Sequence, residues 1–406
     1  MIPTFVRKLH QFSRLLVVRV LLIAFLAIVA LALAKLFGAM IPEGLSYKVG
    51  AEAVDRILSI LANSMLTVTT FSLTVMAATH RSVMGLWTPR AHQILLQDTT
   101  THTVLATFVG AYLFALIAIT LREANVFDAD NMIVLFGMTI LVALLVVVAI
   151  IRWISHLEMF GSLIGPGARI EDATVDAWRL RADWPSLGAV ALEEDVPEGV
   201  YPIHATTGGY LQQVYQDRLQ TAAEDADARI WLPVQVGDFV HRGRPIAWTD
   251  RKDDDLADTI RENMSVDTLR NYTQDPGFGL LCLSEIASRA LSPGVNDPGT
   301  AIDMIARMSR VCLSRDGEHG GEEPKYDRIF VPRLDLDGVL RRSFAPVARD
   351  GAAFYEVQST YRIALRAMSR HDEPRLANAA RALLEEAEAR AGEVLRPEEM
   401  ERLRRI

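Results

Sequence analysis

Three stretches of this chain contain no Asp, Glu, Lys or Arg: residues 57–79, 99–121 and 131–151, of 23, 23 and 21 residues. Each is long enough to cross a hydrocarbon core of roughly 30 Å as a helix rising about 1.5 Å per residue. A fourth apolar stretch covers about residues 16–40, where Val20 to Ala34 is uninterrupted and Arg19 and Lys35 flank it, placed to reach the headgroups. It is read as the first transmembrane helix. The same stretch also fits a cleaved signal peptide, since Arg7, Lys8, Arg14 and Arg19 precede it and Ala32-Leu33-Ala34 forms a small-x-small end.

Composition divides the chain into unlike halves. Half of the 406 residues are hydrophobic and mean hydropathy is +0.18, although 23% are charged. Residues 1–160 carry 11 Lys+Arg against 8 Asp+Glu, and residues 161–406 carry 31 against 42. An apolar, slightly basic front half is therefore joined to an acidic, charge-rich back half. This excludes a purely soluble enzyme and a disordered tail protein, and two cysteines, Cys282 and Cys312, exclude a disulfide-stapled domain. With the first stretch kept as a helix, Arg7, Lys8, Arg14, Arg19, Arg81, Arg90, Arg152 and Arg169 fall on one side. Lys35, Lys48, Arg56 and Arg122 fall on the other, so the positive-inside rule predicts that both termini are cytoplasmic.

The second span carries Ser59, Asn63, Thr67, Thr70 and Thr74 at steps of four, four, three and four, which is one face of a helix. In lipid such a stripe is expected to turn inward. For one helix alone close helix packing is the leading reading, and a water-filled path lined by hydroxyls and one amide is the functional one, towards which Asn63 tilts; both stay open. His102 beside Asp98 reads as an interfacial group. His80 to Asp98, with Trp87 and Pro89 between Arg81 and Arg90, reads as an interfacial elbow. The outer loop from Arg122 to Asp130 is acidic through Glu123, Asp128 and Asp130.

Beyond Gly161 and Gly165-Pro166-Gly167 the soluble half begins, with a short helical stretch at Val175 to Leu180. Residues 161–252 predict a linker and a small, barrel-like β module, with glycines at 208, 209, 237 and 243 marking its turns. Gly237-Asp238-Phe239-Val240-His241-Arg242-Gly243-Arg244-Pro245-Ile246 resembles the turn pattern of barrel-sandwich carrier domains. The carrier function does not transfer, because no lysine occurs between Lys48 and Lys252. Residues 253–406 predict a mainly helical domain, with helices at Asp258 to Leu269, Gly279 to Leu291 and Thr300 to Leu313. Residues 314–350 read as a loop, and two further helices follow it. The connector Ser292 to Gly299 is dense in turn formers; as a functional site it would join Glu285, Arg289, Ser292, Asn296 and Asp297, and as structure it is a rigid joint.

The four-span front half, the decapeptide Arg289-Ala290-Leu291-Ser292-Pro293-Gly294-Val295-Asn296-Asp297-Pro298, Asp275-Pro276-Gly277-Phe278-Gly279 and Gly237-Asp238-Phe239-Val240 together resemble the bacterial membrane-protein family called domain of unknown function 2254. Thr88-Pro89-Arg90 is similar to that family's hydroxyl-Pro-Arg corner. The likeness runs from the first span to about residue 370 and implies a bacterial inner-membrane location without implying a reaction.

The fold expected is therefore membrane α-helical, with four transmembrane helices in residues 1–160, followed by a cytoplasmic α+β region with C-terminal helices. Catalysis has little support: no P-loop, HExxH, CxxC, G-x-S-x-G or dinucleotide glycine fingerprint occurs in the soluble half, and no cofactor or metal is expected. Nucleic-acid binding is disfavoured by the acidic soluble half. The sequence favours an oligomeric channel or transport-like protein passing a small ion or solute along copies of the second span, with a cytoplasmic regulatory collar. The alternative is a membrane-anchored scaffold or ligand sensor.

Overall fold

The computed structural model describes residues 16–37, 51–86, 88–91, 99–124, 132–160, 164–314 and 323–406. Arg7, Lys8 and Arg14 of the basic leader, Lys48, Trp87, Asp98, Asp128, Asp130, Gly161 and Gly320-Gly321 lie outside those residues. The chain forms two compact units, one of residues 1–85 with 95–165, the other of residues 86–94 with 166–406.

Among its described residues the membrane unit contains four helices: α1 (Leu16–Phe37), α2 (Ala51–Leu86), α3 (Thr99–Glu123) and α4 (Met132–Phe160). Among the described residues three segments are long and apolar enough to cross a membrane: Ala53–Ala78, Thr103–Glu123 and Ile133–Leu157. They correspond to the three charge-free runs. α1 is a continuous helix of 22 residues. Its fit to α3 depends on Gly110, where a Cβ would come within 2.6 Å of Ile23 Cβ and 3.2 Å of the Val20 carbonyl oxygen. Val54, Leu58 and Met65 of α2 join Phe108, Phe114 and Ala118 of α3 and Leu135, Val146 and Trp153 of α4 in one core. Arg122, near the end of α3, forms an ion pair with Asp55 near the start of α2.

The second unit opens with α5 (Ile164–Asp183), a 20-residue helix where the sequence suggested only a short one. Its Gly165-Pro166-Gly167 lies in the first turn, where a proline costs no hydrogen bond. The β residues do not close into a barrel. β1 (Ala189–Ala191), β2 (Tyr201–His204), β4 (Ile230–Trp231), β6 (Pro245–Thr249) and β8 (Tyr326–Val331) form one sheet in the order β1-β8-β4-β6-β2. β3 (Gly209–Val214), β5 (Phe239–Val240) and β7 (Met264–Asp267) form a second, in the order β5-β3-β7.

The Gly237-to-Ile246 stretch sends β5 and β6 to different sheets, so it is not one half of a closed sandwich. The larger sheet is completed from outside residues 161–252, because β8 inserts parallel between β1 and β4. A parallel neighbour needs a long crossover, so a strand so distant in sequence can fill this place. Residues 314–350, expected as loop, supply β8 and α10 (Leu336–Asp350). Asp327 and Arg328 on the less buried positions of β8 hide its alternation, and Pro346 hides the helix. After α6 (Gln216–Asp225), the segment expected as one helix over Asp258 to Leu269 is α7 (Asp254–Glu262) followed by β7.

At the centre of this unit lie α8 (Pro276–Ala290) and α9 (Pro298–Cys312), each 15 residues long and each opened by Asp-Pro-Gly. Asp275 accepts a hydrogen bond from Phe278 N at 3.0 Å, and Asp297 does the same from Thr300 N at 3.0 Å. These are N-caps followed by proline at the first helical position. α11 (Tyr355–Met368), α12 (Pro374–Gly392) and α13 (Pro397–Arg405) complete the chain, where Glu388 of α12 receives Arg362 and Arg404 from its two neighbours.

Gly279 on α8 meets Thr174 of α5 so closely that a Cβ would overlap the threonine side chain. Gly279→Ala should therefore destabilise this unit by about 1–3 kcal/mol through overpacking. Thr174→Ala in the same chain should recover part of that loss in a thermal-unfolding measurement.

Candidate functional site

The polar stripe of α2 is exposed at all five of its positions, Ser59, Asn63, Thr67, Thr70 and Thr74. The buried positions of the same helix are Val54, Leu58, Leu61, Ala62, Met65, Thr69 and Ser72. At about 100° per residue the two sets centre roughly 155° apart. The expectation that the stripe turns inward is thus not met within the single chain: the stripe points away from the chain's own core. Leu66 and Leu73 border it on one side, Ile60 and Phe71 on the other. By contrast, α4 exposes Ile140, Leu141, Leu144, Leu145, Val147, Val148, Ile151 and Ile154, a face suited to lipid tails.

The threonine hydroxyls of the stripe are satisfied by their own helix. Thr67 Oγ1 donates to the Asn63 carbonyl at 3.1 Å, Thr70 Oγ1 to that of Thr67 at 2.9 Å, and Thr74 Oγ1 to that of Thr70 at 2.9 Å. Such back-bonding lets a hydroxyl enter a membrane at little cost. Asn63 differs, because its side chain makes no hydrogen bond to any described residue. An unpaired amide in hydrocarbon costs on the order of 4–8 kcal/mol, so a partner or water must reach it.

A second polar feature of the membrane unit was not singled out by sequence reasoning. His156 of α4 is buried, with Nε2 at 3.0 Å from Thr101 Oγ1 and its ring 6.1 Å from that of Trp153. The only sequence signal is an isolated histidine at the end of an apolar helix. The side chain of His102, the histidine picked from the sequence, lies outside the described positions.

In the second unit the connector between α8 and α9 is mostly a joint. Ser292 Oγ donates to the Arg289 carbonyl at 2.7 Å, and Asp297 N donates to the Ala290 carbonyl at 2.8 Å. Asn296 sits at φ +52°, a left-handed conformation that asparagine tolerates, and is exposed. The Asp297 carboxyl, held by Thr300 through its hydroxyl and backbone N–H, lies below the usual carboxylate range. Glu285 is engaged outside this connector. It forms an ion pair with Arg90, in the elbow between the second and third spans.

Sequence reasoning did not assign a role to Asp275, which the structure makes the centre of a buried polar joint. Arg270 grips it twice, Nε to Oδ2 at 2.8 Å and Nη2 to Oδ1 at 2.9 Å. Burial pushes the Asp275 carboxyl up, opposed first by the charge of Arg270. Burial also lowers the Arg181 guanidinium to about 10, opposed by Asp275. Gly237, at φ +97°, is required here twice over, since a Cβ would stand 2.5 Å from Asp275 Oδ2. Two of the distinctive sequence pieces, Gly237-Asp238 and Asp275-Pro276-Gly277, thus meet at one carboxylate. The signal that could have found it is an Asp before Pro-Gly at the start of a helical period.

Beside the joint, Tyr272 Oη lies 3.4 Å from Cys282 Sγ, and the Phe278 ring packs against Tyr272 and under Arg270. Burial pushes the Cys282 thiol up to about 12 and the Tyr272 hydroxyl well above its ordinary value. Cys282 is therefore protonated at neutral pH and a poor nucleophile. No group of three or more His, Cys, Asp or Glu able to hold a metal occurs among the described residues. The chemistry of this region is that of a dry, charge-locked joint.

The depressed Asp297 carboxyl stabilises the fold above its unfolded value of roughly 3.9, and this contribution is lost as pH falls through the lower folded value. Asp297→Ala should cost about 1 kcal/mol at neutral pH. The difference between wild type and variant should shrink on acidification below about pH 4, read as converging unfolding midpoints.

A family described as "Predicted membrane protein (DUF2254)" matches residues 13–367. An uncharacterized protein of Mycobacterium bovis is 33% identical over 122 residues, covering 28% of this chain and 23% of that protein. An uncharacterized protein of Mycobacterium tuberculosis strain H37Rv matches to the same extent. The alignment thus covers under a quarter of the length of these curated relatives. No solved structure matches this chain. With a family match over most of its length and three helices able to cross a bilayer, the chain belongs to the DUF2254 family of predicted membrane proteins.

Proposed function

We propose that this protein is a channel-like or transport-like membrane protein in which copies of α2 meet along the Ser59, Asn63, Thr67, Thr70 and Thr74 face. The observation that carries this reading is the stripe's orientation: it faces away from the chain's own core and is bordered on both sides by exposed apolar residues. A second copy of the chain satisfies both parts of that face. The apolar borders pack between subunits, and the hydroxyls and the Asn63 carboxamide line a path for a small ion or solute. Asn63 is both donor and acceptor, so copies can pair with one another or with water held between them.

In this arrangement α1 is the fourth transmembrane helix; its 22 residues reach about 33 Å. Both termini are cytoplasmic, the membrane is the bacterial inner membrane, and the second unit forms a regulatory collar. The back-bonded threonines favour a second use of the same face, as a dry packing seam. The protein is then a membrane-anchored scaffold or ligand sensor that works through its cytoplasmic unit.

The two uses separate in liposomes holding the purified full-length protein. Thr67→Leu with Thr70→Leu should abolish ion and solute flux and leave the assembly size unchanged. Unchanged flux in the variant assigns the face to packing. Asn63→Leu should weaken assembly, measured as a larger monomer fraction in detergent; an unaltered fraction would count against pairing through the carboxamide.

A further inference from the structure

The joint around Asp275 carries more positive charge than its one carboxylate can answer. Arg270 takes both oxygens of that carboxylate. A second guanidinium, Arg181, stands close enough that its charge and that of Asp275 act on each other. Among the described residues three arginines are buried: Arg181 at 3% exposure, Arg307 at 5% and Arg362 at 7%. Arg307 is paired with Glu171 and Asp303, and Arg362 with Glu388. Arg181, the most deeply buried of them, has neither a hydrogen bond nor an ion pair to any described residue, and its Nε is shut off from solvent.

Its place follows from the packing of α5 on α8. Thr174 of α5 sits against Gly279 of α8. Arg181 comes about two turns after Thr174, so both lie on one face of α5. Asp275 comes about one turn before Gly279 and caps α8. The face of α5 that meets α8 therefore carries Arg181 to the N-terminal end of α8, where backbone N–H groups and the helix dipole favour an anion. The surroundings are closely packed: a Cβ at Gly277 would stand 3.2 Å from Val339 of α10, and one at Gly237 2.8 Å from Arg270 Nη2.

A guanidinium in this place keeps its charge. Burial brings Arg181 down to about 10, still well above neutrality. A buried cation without hydrogen bonds is costly, and the carboxylate beside it is already held by Arg270. An anion with two oxygens matches the guanidinium fork, which chloride does not. The slight exposure of Arg181 limits that anion to a small one.

We propose that Arg181 and the first turn of α8 form a binding site for a small oxyanion, a carboxylate or phosphate of the size of acetate or inorganic phosphate. The site lies wholly in the second unit and does not depend on whether the α2 stripe lines a path. The Arg181 guanidinium donates to two oxygens of the anion, and Asp275 stays with Arg270.

The test uses full-length protein in detergent at pH 7 and constant ionic strength, with phosphate or acetate replacing chloride. The unfolding midpoint and hydrogen exchange of residues 174–183 and 275–282 are measured together. At least one of the two oxyanions should raise the midpoint saturably and slow exchange in both segments several-fold. Arg181→Gln should lose both responses. Arg181→Lys, which keeps the charge without the fork, should need a several-fold higher concentration for the same response. Arg242→Gln, at an exposed arginine of the same unit, should respond as wild type does. Chloride matching both oxyanions, or a full response in Arg181→Gln, would overturn the proposal. A wild type that responds to neither oxyanion overturns it even where no Arg181 variant folds.

Discussion

Everything in the membrane unit is arranged around a helix with two incompatible faces. On α2, Leu58, Leu61 and Met65 bind the chain's own core, while Asn63, Thr67, Thr70 and Thr74 face nearly the opposite way. In water such a helix would be ordinary. In hydrocarbon the apolar face gains nothing from leaving solvent, and the amide on the other face has no hydrogen-bond partner among the described residues. The described residues of one chain leave that cost unrelieved. A second chain, or water between chains, relieves it, and that is why the functional account is built on an assembly.

The second unit has its own organising group, the Asp275 carboxylate. It caps α8, accepts Arg270 twice, stands near Arg181 and leaves no room for a side chain at Gly237. A buried charge held in this way is weak support for net stability and good support for a fixed geometry. The joint fixes where α8 begins. Glu285, two and a half turns later, forms an ion pair with Arg90.

How much of this was legible in the sequence depended on how local the physics is. The three charge-free runs became three helices long and apolar enough to span a membrane, because hydrophobic length in a helix needs no tertiary information. The spacing of the stripe was equally readable, since four- and three-residue steps define a helical face; which way the face turned depends on neighbouring helices. The Asp-Pro-Gly starts of α8 and α9 were visible as turns, and their capping role follows from local hydrogen bonds. The closed β module was misread because β8 pairs with strands almost 100 and more than 130 residues earlier in the chain. Asp327 and Arg328 gave β8 the look of a loop. The Arg90–Glu285 pair was illegible for the same reason: nothing in either local sequence names the other.

The central claim is that the α2 stripes of two copies face each other across the membrane, and cysteine cross-linking tests it most directly. The two native cysteines, Cys282 and Cys312, are buried and free, so a new thiol reports alone. In native membranes treated with copper phenanthroline, Asn63→Cys and Thr67→Cys should each give a disulfide-linked dimer, which requires Cβ atoms within about 4.5 Å. Leu144→Cys, on the apolar face of α4, should give none. Equal cross-linking at Leu144→Cys, or none at either stripe position, would contradict the account.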